Sequence, residues 1–194
     1  MEQADQEQDW IRRAQRGELA AYDALVRAYE TLAFRAAYLV THDTQEAADA
    51  AQDAFVRAYR ALHSFRLGEP FRPWLLRIVT NQALNRIQAQ QRRTRMTERY
   101  VQTMNAMTDT PTPQRNLEAR EQNETLMRAV GRLKPEEQAL IALRYFLELP
   151  ESQVADALNI PQGTVKSRMH RTLAKLRDII RAEFPDLAGL TMND

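Results

Sequence analysis

Between Glu151 and Arg177 the chain reads ESQVADALNIPQGTVKSRMHRTLAKLR, and this stretch has the spacing of a helix-turn-helix. Val154, Ala155 and Leu158 place an apolar face on a first helix of about two turns. Ala155 is small where a second helix must come close. Asn159 falls where the tight turn needs a left-handed residue, a place usually taken by Gly, with Asn as the common substitute. Ile160 fills the angle between the helices. Pro161 or Gln162 opens the second helix, whose inner face is Val165, Met169, Leu173, Leu176 and Ile180. Lys166 and His170 lie four apart, as do Ser167 and Arg171, so all four point outward from its N-terminal half. A recognition helix presents side chains to the major groove from that position: Arg can bond guanine twice, while Ser, Thr and Lys more often hold phosphate. An ordinary amphipathic helix with a solvated basic side would explain the charges alone. The coincidence of turn spacing and basic outer face favours DNA binding.

Working outward, the composition supports an all-α chain. Apolar residues make up 44% of the 194, glycines number only 5, and strong helix formers dominate. There is no cysteine, which excludes disulfides, thiolate nucleophiles and zinc-thiolate sites. No apolar run approaches the roughly 20 residues of a membrane span, and Met1 to Asp9 is acidic and polar rather than signal-like, so membrane insertion is not expected and a cytoplasmic location is. The 27 basic and 26 acidic side chains nearly cancel, but they are segregated. From Lys166 to Arg181 six cations stand against Asp178 alone; between Arg35 and Arg57 the only formal charges are Asp43, Glu46, Asp49 and Asp53. Two poles of opposite sign suggest two kinds of partner.

Upstream, a short helix is predicted over Asp9 to Arg16, stopped by Gly17, and a long one over Leu19 to Val40. Thr41 to Thr44 offers N-caps for a helix over Gln45 to Leu62. A loop by its Gly and Pro covers His63 to Arg72. Pro73 suits a first helical position, and that helix continues through Ile87 into polar, basic residues to Arg95. Residues 96–116, with Pro111 and Pro113 and no sustained periodicity, read as a linker between a domain at 1–95 and another at 117–194. Helices over Leu117 to Arg132 and from Pro135 to Leu147 then precede the helix-turn-helix.

Two surfaces of the first domain stand out. Glu46, Asp49 and Asp53 fall on one side of their helix, opposite Ala51, Phe55, Ala58 and Leu62. Like charges at such spacings repel by a few tenths of a kcal/mol per pair. A docking face for a basic protein element and a solvated face aided by the helix dipole are equally compatible with the periodicity. The loop Phe65 to Arg72 interleaves aromatic and basic residues, followed by Trp74, Arg77, Asn81 and Asn85. Rings and Arg hold unstacked single-stranded bases, and amides read their edges. Phe71 and Trp74 can equally be core, which the neighbours Leu75 and Ile78 favour for Trp74; Phe65, Arg66, Arg77 and Asn81 are read as free.

The residues Asp43 to Leu62 (DTQEAADAAQDAFVRAYRAL) and Ser64 to Asn85 (SFRLGEPFRPWLLRIVTNQALN) resemble region 2 of the extracytoplasmic-function sigma factors of bacterial RNA polymerase. Leu133 to Leu176 (LKPEEQALIALRYFLELPESQVADALNIPQGTVKSRMHRTLAKL) is similar to their region 4. GTVKSR alone is shared with many regulators; the pair of regions in one short chain is far more specific. Two details depart from the common pattern: LPESQ at Leu149 to Gln153 stands for the more usual LSYEE, and Asn85 stands where Asp is frequent. The resemblance implies two small helical domains joined by a flexible linker, no catalysis and no cofactor. It implies that Asp49, Gln52, Asp53 and Phe55 dock on core polymerase, whose clamp coiled coil and flap are the expected partners. It assigns Phe65, Arg66, Arg72, Trp74, Arg77, Asn81 and Asn85 to single-stranded bases of the −10 element. It assigns Thr164, Lys166, Ser167, Arg168, His170 and Arg171 to duplex at the −35 element. It further implies a separate anti-sigma protein that holds the factor inactive.

Two other functions are weighed by residues alone. A ligand- or phosphorylation-controlled regulator needs a sensor domain, and the N-terminal half lacks strand-helix alternation. A nucleic-acid enzyme needs a reactive cluster, but His42, His63 and His170 are scattered and no phosphate-cradling Gly loop appears.

Overall fold

Gly17 ends the first helix with a φ of +92°, a conformation that an L side chain rarely adopts. The structure, a computed structural model, describes residues 2–98, 125–184 and 187. Helix α1 spans Glu2–Gln15, beginning earlier than the predicted Asp9, and buries Ile11 and Ala14. Helix α2 is Leu19–Thr41 and α3 is Thr44–Ala61. Asp43 provides the predicted cap, its carboxylate accepting from the Glu46 N–H at 2.8 Å. The inner face of α3 is Ala47, Ala50, Ala51, Ala54 and Ala58, all buried, so α3 can lie close against α2 and the next helix.

Helix α4, Phe71–Glu98, starts two residues before Pro73. That proline is therefore not the first helical residue; it lies within the first turn, where a missing N–H still costs no intrahelical bond. Phe71, Leu75, Leu76 and Val79 are all almost wholly buried, each burial contributing about 1.5–3 kcal/mol. The helix reaches Glu98, inside the segment 96–116 read as linker. The rest of that segment, and residues 117–124 of the helix expected from Leu117, lie outside the described residues.

Residues 125–131 form α5. Helix α6, Pro135–Ile141, is capped by Glu137, which accepts the Lys134 N–H at 2.8 Å, and continues as a π-helical turn, Ala142–Phe146. Helices α7, Glu151–Leu158, and α8, Gln162–Glu183, complete the second domain. Among the described residues there is no strand, and no helix is long and apolar enough to cross a membrane.

The two helical domains pack on one another. Leu143, Leu147, Leu149, Val154 and Val165 share one buried cluster with Leu75, Leu76 and Val79. Helix α4 is thus covered by α2 and α3 from its own domain and by α7 from the other. That explains why its upper half is apolar without a single stripe.

Candidate nucleic-acid and partner interfaces

Asn159 adopts φ 53° and ψ 47°, the left-handed turn expected between α7 and α8. The Ile160 N–H then bonds to the Ala155 carbonyl at 3.0 Å, closing the corner. Val165 is fully buried, with Met169, Leu173 and Ile180 partly so. Thr172, at 3% exposure, also belongs to this inner stripe. It was not singled out from the sequence, although Val165, Met169, Thr172 and Leu176 follow the helical period. Lys166, Ser167, Arg168, His170 and Arg171 are exposed together, while Thr164 is half-buried at the first turn. Two bonds order this face: Ser167 Oγ donates to the Thr164 carbonyl at 3.1 Å, and Arg171 Nε donates to the Ser167 carbonyl at 3.3 Å. Cations at a helix N-terminus add to its partial positive charge, which favours phosphate.

The aromatic loop is arranged differently from expectation. Phe65 is 6% exposed and packs edge-on against Phe71 and Trp74, with ring centroids 5.6 and 5.1 Å away. Tyr29 closes the cluster against Phe71 at 5.3 Å. Phe65 is therefore a core residue, and its reading as a free ring for base stacking is corrected: the loop folds inward so that its ring packs on Phe71 and Trp74. Trp74 is half-buried on the same cluster, in line with its alternative as core. The loop instead exposes Arg66 and Leu67, the latter 47% exposed and not singled out by sequence. They sit on a tight turn whose Glu69 N–H reaches the Arg66 carbonyl at 3.3 Å, with Gly68 at φ +90°, as a type II turn requires of its third residue.

Arg77, Asn81 and Asn85 are exposed on one stripe of α4, four residues apart. Arg72 is not with them. It is half-buried, its Nη2 donating to the Leu147 carbonyl of the second domain at 2.8 Å, and its Nε is buried without a partner. In this arrangement Arg72 serves the contact between domains.

The acidic face of α3 has a partner that the sequence did not reveal. Arg86, one residue beyond Asn85 on α4, bonds Glu46 at 2.9 Å, Asp49 at 3.2 Å and Asp53 at 3.0 Å. Partial burial disfavours its charge, but the hydrogen bonds to Glu46 and Asp53 and the nearby negative charge outweigh that and raise its pKa. The four side chains remain 28–54% exposed, so each pair contributes no more than about 1 kcal/mol. Gln52 and Asp53 face solvent, while Phe55 is half-buried and its carbonyl accepts the Tyr22 hydroxyl at 2.5 Å. The face is thus not a bare solvated row of acids; it carries one cation of its own against three carboxylates.

Comparison with known proteins covers most of the chain. Residues 25–93 match the family model for Sigma-70 region 2, and residues 123–176 match that for Sigma-70, region 4. The RNA polymerase sigma-H factor of Pseudomonas aeruginosa is 34% identical, over 86% of this chain and 90% of its own. The ECF RNA polymerase sigma factor SigW of Bacillus subtilis is 30% identical, over 88% of this chain and 95% of its own. In fold, the chain is similar to the sigma factor RpoE solved in complex with the anti-sigma factor NepR from Bartonella quintana, with a TM-score of 0.63, 17% identity, and coverage of 84% and 98%.

Proposed function

The chain belongs to the sigma-70 family, in its extracytoplasmic-function branch, and from that premise we propose how its surfaces divide the work of promoter recognition. It is a promoter-recognising initiation factor for RNA polymerase and not an enzyme. The exposed face of α8, with Lys166, Ser167, Arg168, His170 and Arg171, reads duplex DNA at the −35 element. The stripe Arg77, Asn81 and Asn85 and the turn at Arg66 and Leu67 receive unpaired bases of the −10 element. Asp49, Gln52, Asp53 and Phe55 meet a basic element of core polymerase, where Arg86 already marks the site as complementary to a guanidinium. The partners we assign are core polymerase, promoter DNA and an anti-sigma factor, and the location is the cytoplasm, where the first two reside.

Neither DNA reader needs high affinity alone. Once both are tethered to polymerase, the second contact becomes intramolecular and its effective concentration rises. Strand opening follows if region 2 binds unstacked bases better than paired ones, because differential affinity is what shifts an equilibrium. Phosphate contacts make the whole steeply salt-dependent.

The observation that carries this reading is the three-residue stripe Arg77, Asn81 and Asn85, the exposed positions of α4 between Phe71 and Ile87. Its test is transcription in vitro with core polymerase, comparing the chain with an Arg77→Ala, Asn81→Ala variant. On duplex template the variant is expected to lose roughly tenfold or more, given about 1–3 kcal/mol per stacked or read base. A template pre-melted at −10 recovers part of that loss. A variant as active as wild type on duplex overturns the base-capture role.

A further inference from the structure

The turn that exposes Arg66 and Leu67 has little to hold it from within. Its own bond, Glu69 N–H to the Arg66 carbonyl, is long at 3.3 Å, and residues 66–70 are all exposed. Helix α1 supplies the rest. Gln8 uses both ends of its amide on the turn: Oε1 accepts the Gly68 N–H at 2.8 Å, and Nε2 donates to the Glu69 carbonyl at 3.1 Å. Gln15 holds the loop's entry, its Nε2 donating to the carbonyls of Leu62 at 2.9 Å and Phe65 at 2.8 Å. The two glutamines are seven residues apart, so two helical turns set both on the face of α1 turned to the loop. The helix is itself a firm base, with Ile11 and Ala14 in the core and the Tyr29 hydroxyl bonded to Glu7.

We propose that Gln8 and Gln15 are positioning residues that fix the base-receiving turn, and so set how tightly and how selectively unpaired bases are captured, without touching DNA. This rests on the reading of that turn as part of the −10 contact. A turn free to rearrange must be ordered when a base arrives, and that entropy is lost from binding. A turn held by three backbone-directed amide bonds at its entry and tip, plus the second carbonyl bond of Gln15, meets the base already in one conformation. The glutamine contacts themselves are neutral amide to backbone and carry no titrating group.

The experiment uses holoenzyme assembled from core polymerase and the full chain. Single-stranded oligonucleotides are selected from a randomised pool by wild-type holoenzyme, and the best is compared with each of its single-base replacements by fluorescence titration. Gln8→Ala and Gln15→Ala are expected to weaken the best oligonucleotide by about three- to tenfold, the range for one or two lost hydrogen bonds. They are also expected to flatten its advantage over the replacements. Core affinity stays at the wild-type value, and the Gly68 amide of Gln8→Ala exchanges faster with solvent. Gln8→Glu keeps the acceptor for Gly68 but loses the donor for Glu69, and falls between. It also provides the test should an alanine variant not fold. If wild-type holoenzyme itself shows no base preference, the −10 reading fails and the proposal with it. If wild type discriminates and the folded variants discriminate equally, the proposal alone is overturned.

Discussion

Asn159 shows how much one side chain can decide. Among the described residues, three non-glycine positions have positive φ, namely His42 at 53°, Glu148 at 55° and Asn159 at 53°. A left-handed conformation costs an ordinary L residue roughly 1–2 kcal/mol, and Asn less because its short amide bonds locally. Asn159→Ala is therefore expected to destabilise the second domain by roughly 1 kcal/mol, while Asn159→Gly is neutral or slightly stabilising. Thermal unfolding of the two variants checks this, and equal stability would show that the corner does not depend on the left-handed residue. The sequence marked Asn159 because Asn prefers that conformation. His42 and Glu148 carried no such mark, since their backbone is set by the helices they terminate.

At the scale of elements, Glu137 ties α6 to α8 in the second domain. It caps α6 through the Lys134 N–H and bonds Lys175 of α8 at 2.7 Å. Partial burial pushes its pKa up, but the Lys175 hydrogen bond and the Lys134 N–H outweigh this and hold it below the usual carboxylate value. A depressed folded-state pKa contributes stability that is present above the unfolded value, about 4.3, and is lost as pH falls through the folded one. The second domain is thus expected to lose stability progressively in acid, and Glu137→Gln to show a weaker acid dependence. Glu137→Ala should cost roughly 1 kcal/mol near neutrality, as loss of a cap does. Melting curves across that pH range read both effects. An identical acid slope in wild type and Glu137→Gln would remove Glu137 from the account.

For the whole molecule, the consequential feature is that the two domains share a core while the faces proposed to read DNA stay exposed. The junction includes Arg72 on the Leu147 carbonyl and His42 Nε2 against Gln138 Oε1 at 3.1 Å. The resemblance assigns Arg72 to the −10 contact, and here its Nη2 is taken up by the Leu147 carbonyl. Engagement with polymerase and promoter is therefore expected to separate the domains. The chain lacks cysteine, so Glu30→Cys with Arg177→Cys gives a clean labelled pair at exposed positions. Energy transfer between the labels is expected to fall when core polymerase is added. Unchanged transfer would mean that the packed arrangement is also the working one.

The sequence by itself determined the helices, the corner at Asn159, the basic outer face of α8 and the stripe Arg77, Asn81 and Asn85. Each of these is written in residues within about one or two turns of one another, where caps and helical period act. Only the tertiary structure decided that Phe65 turns inward, that Arg86 pairs with the acids of α3, that Arg72 faces the other domain and that two glutamines of α1 hold the loop. Except for the rings around Phe65, those partners lie far apart along the chain, 33 residues between Asp53 and Arg86 and 75 between Arg72 and Leu147. No local period encodes such meetings. They exist because burying the apolar faces of α2, α3, α4 and α7 brings particular polar side chains to the same edge.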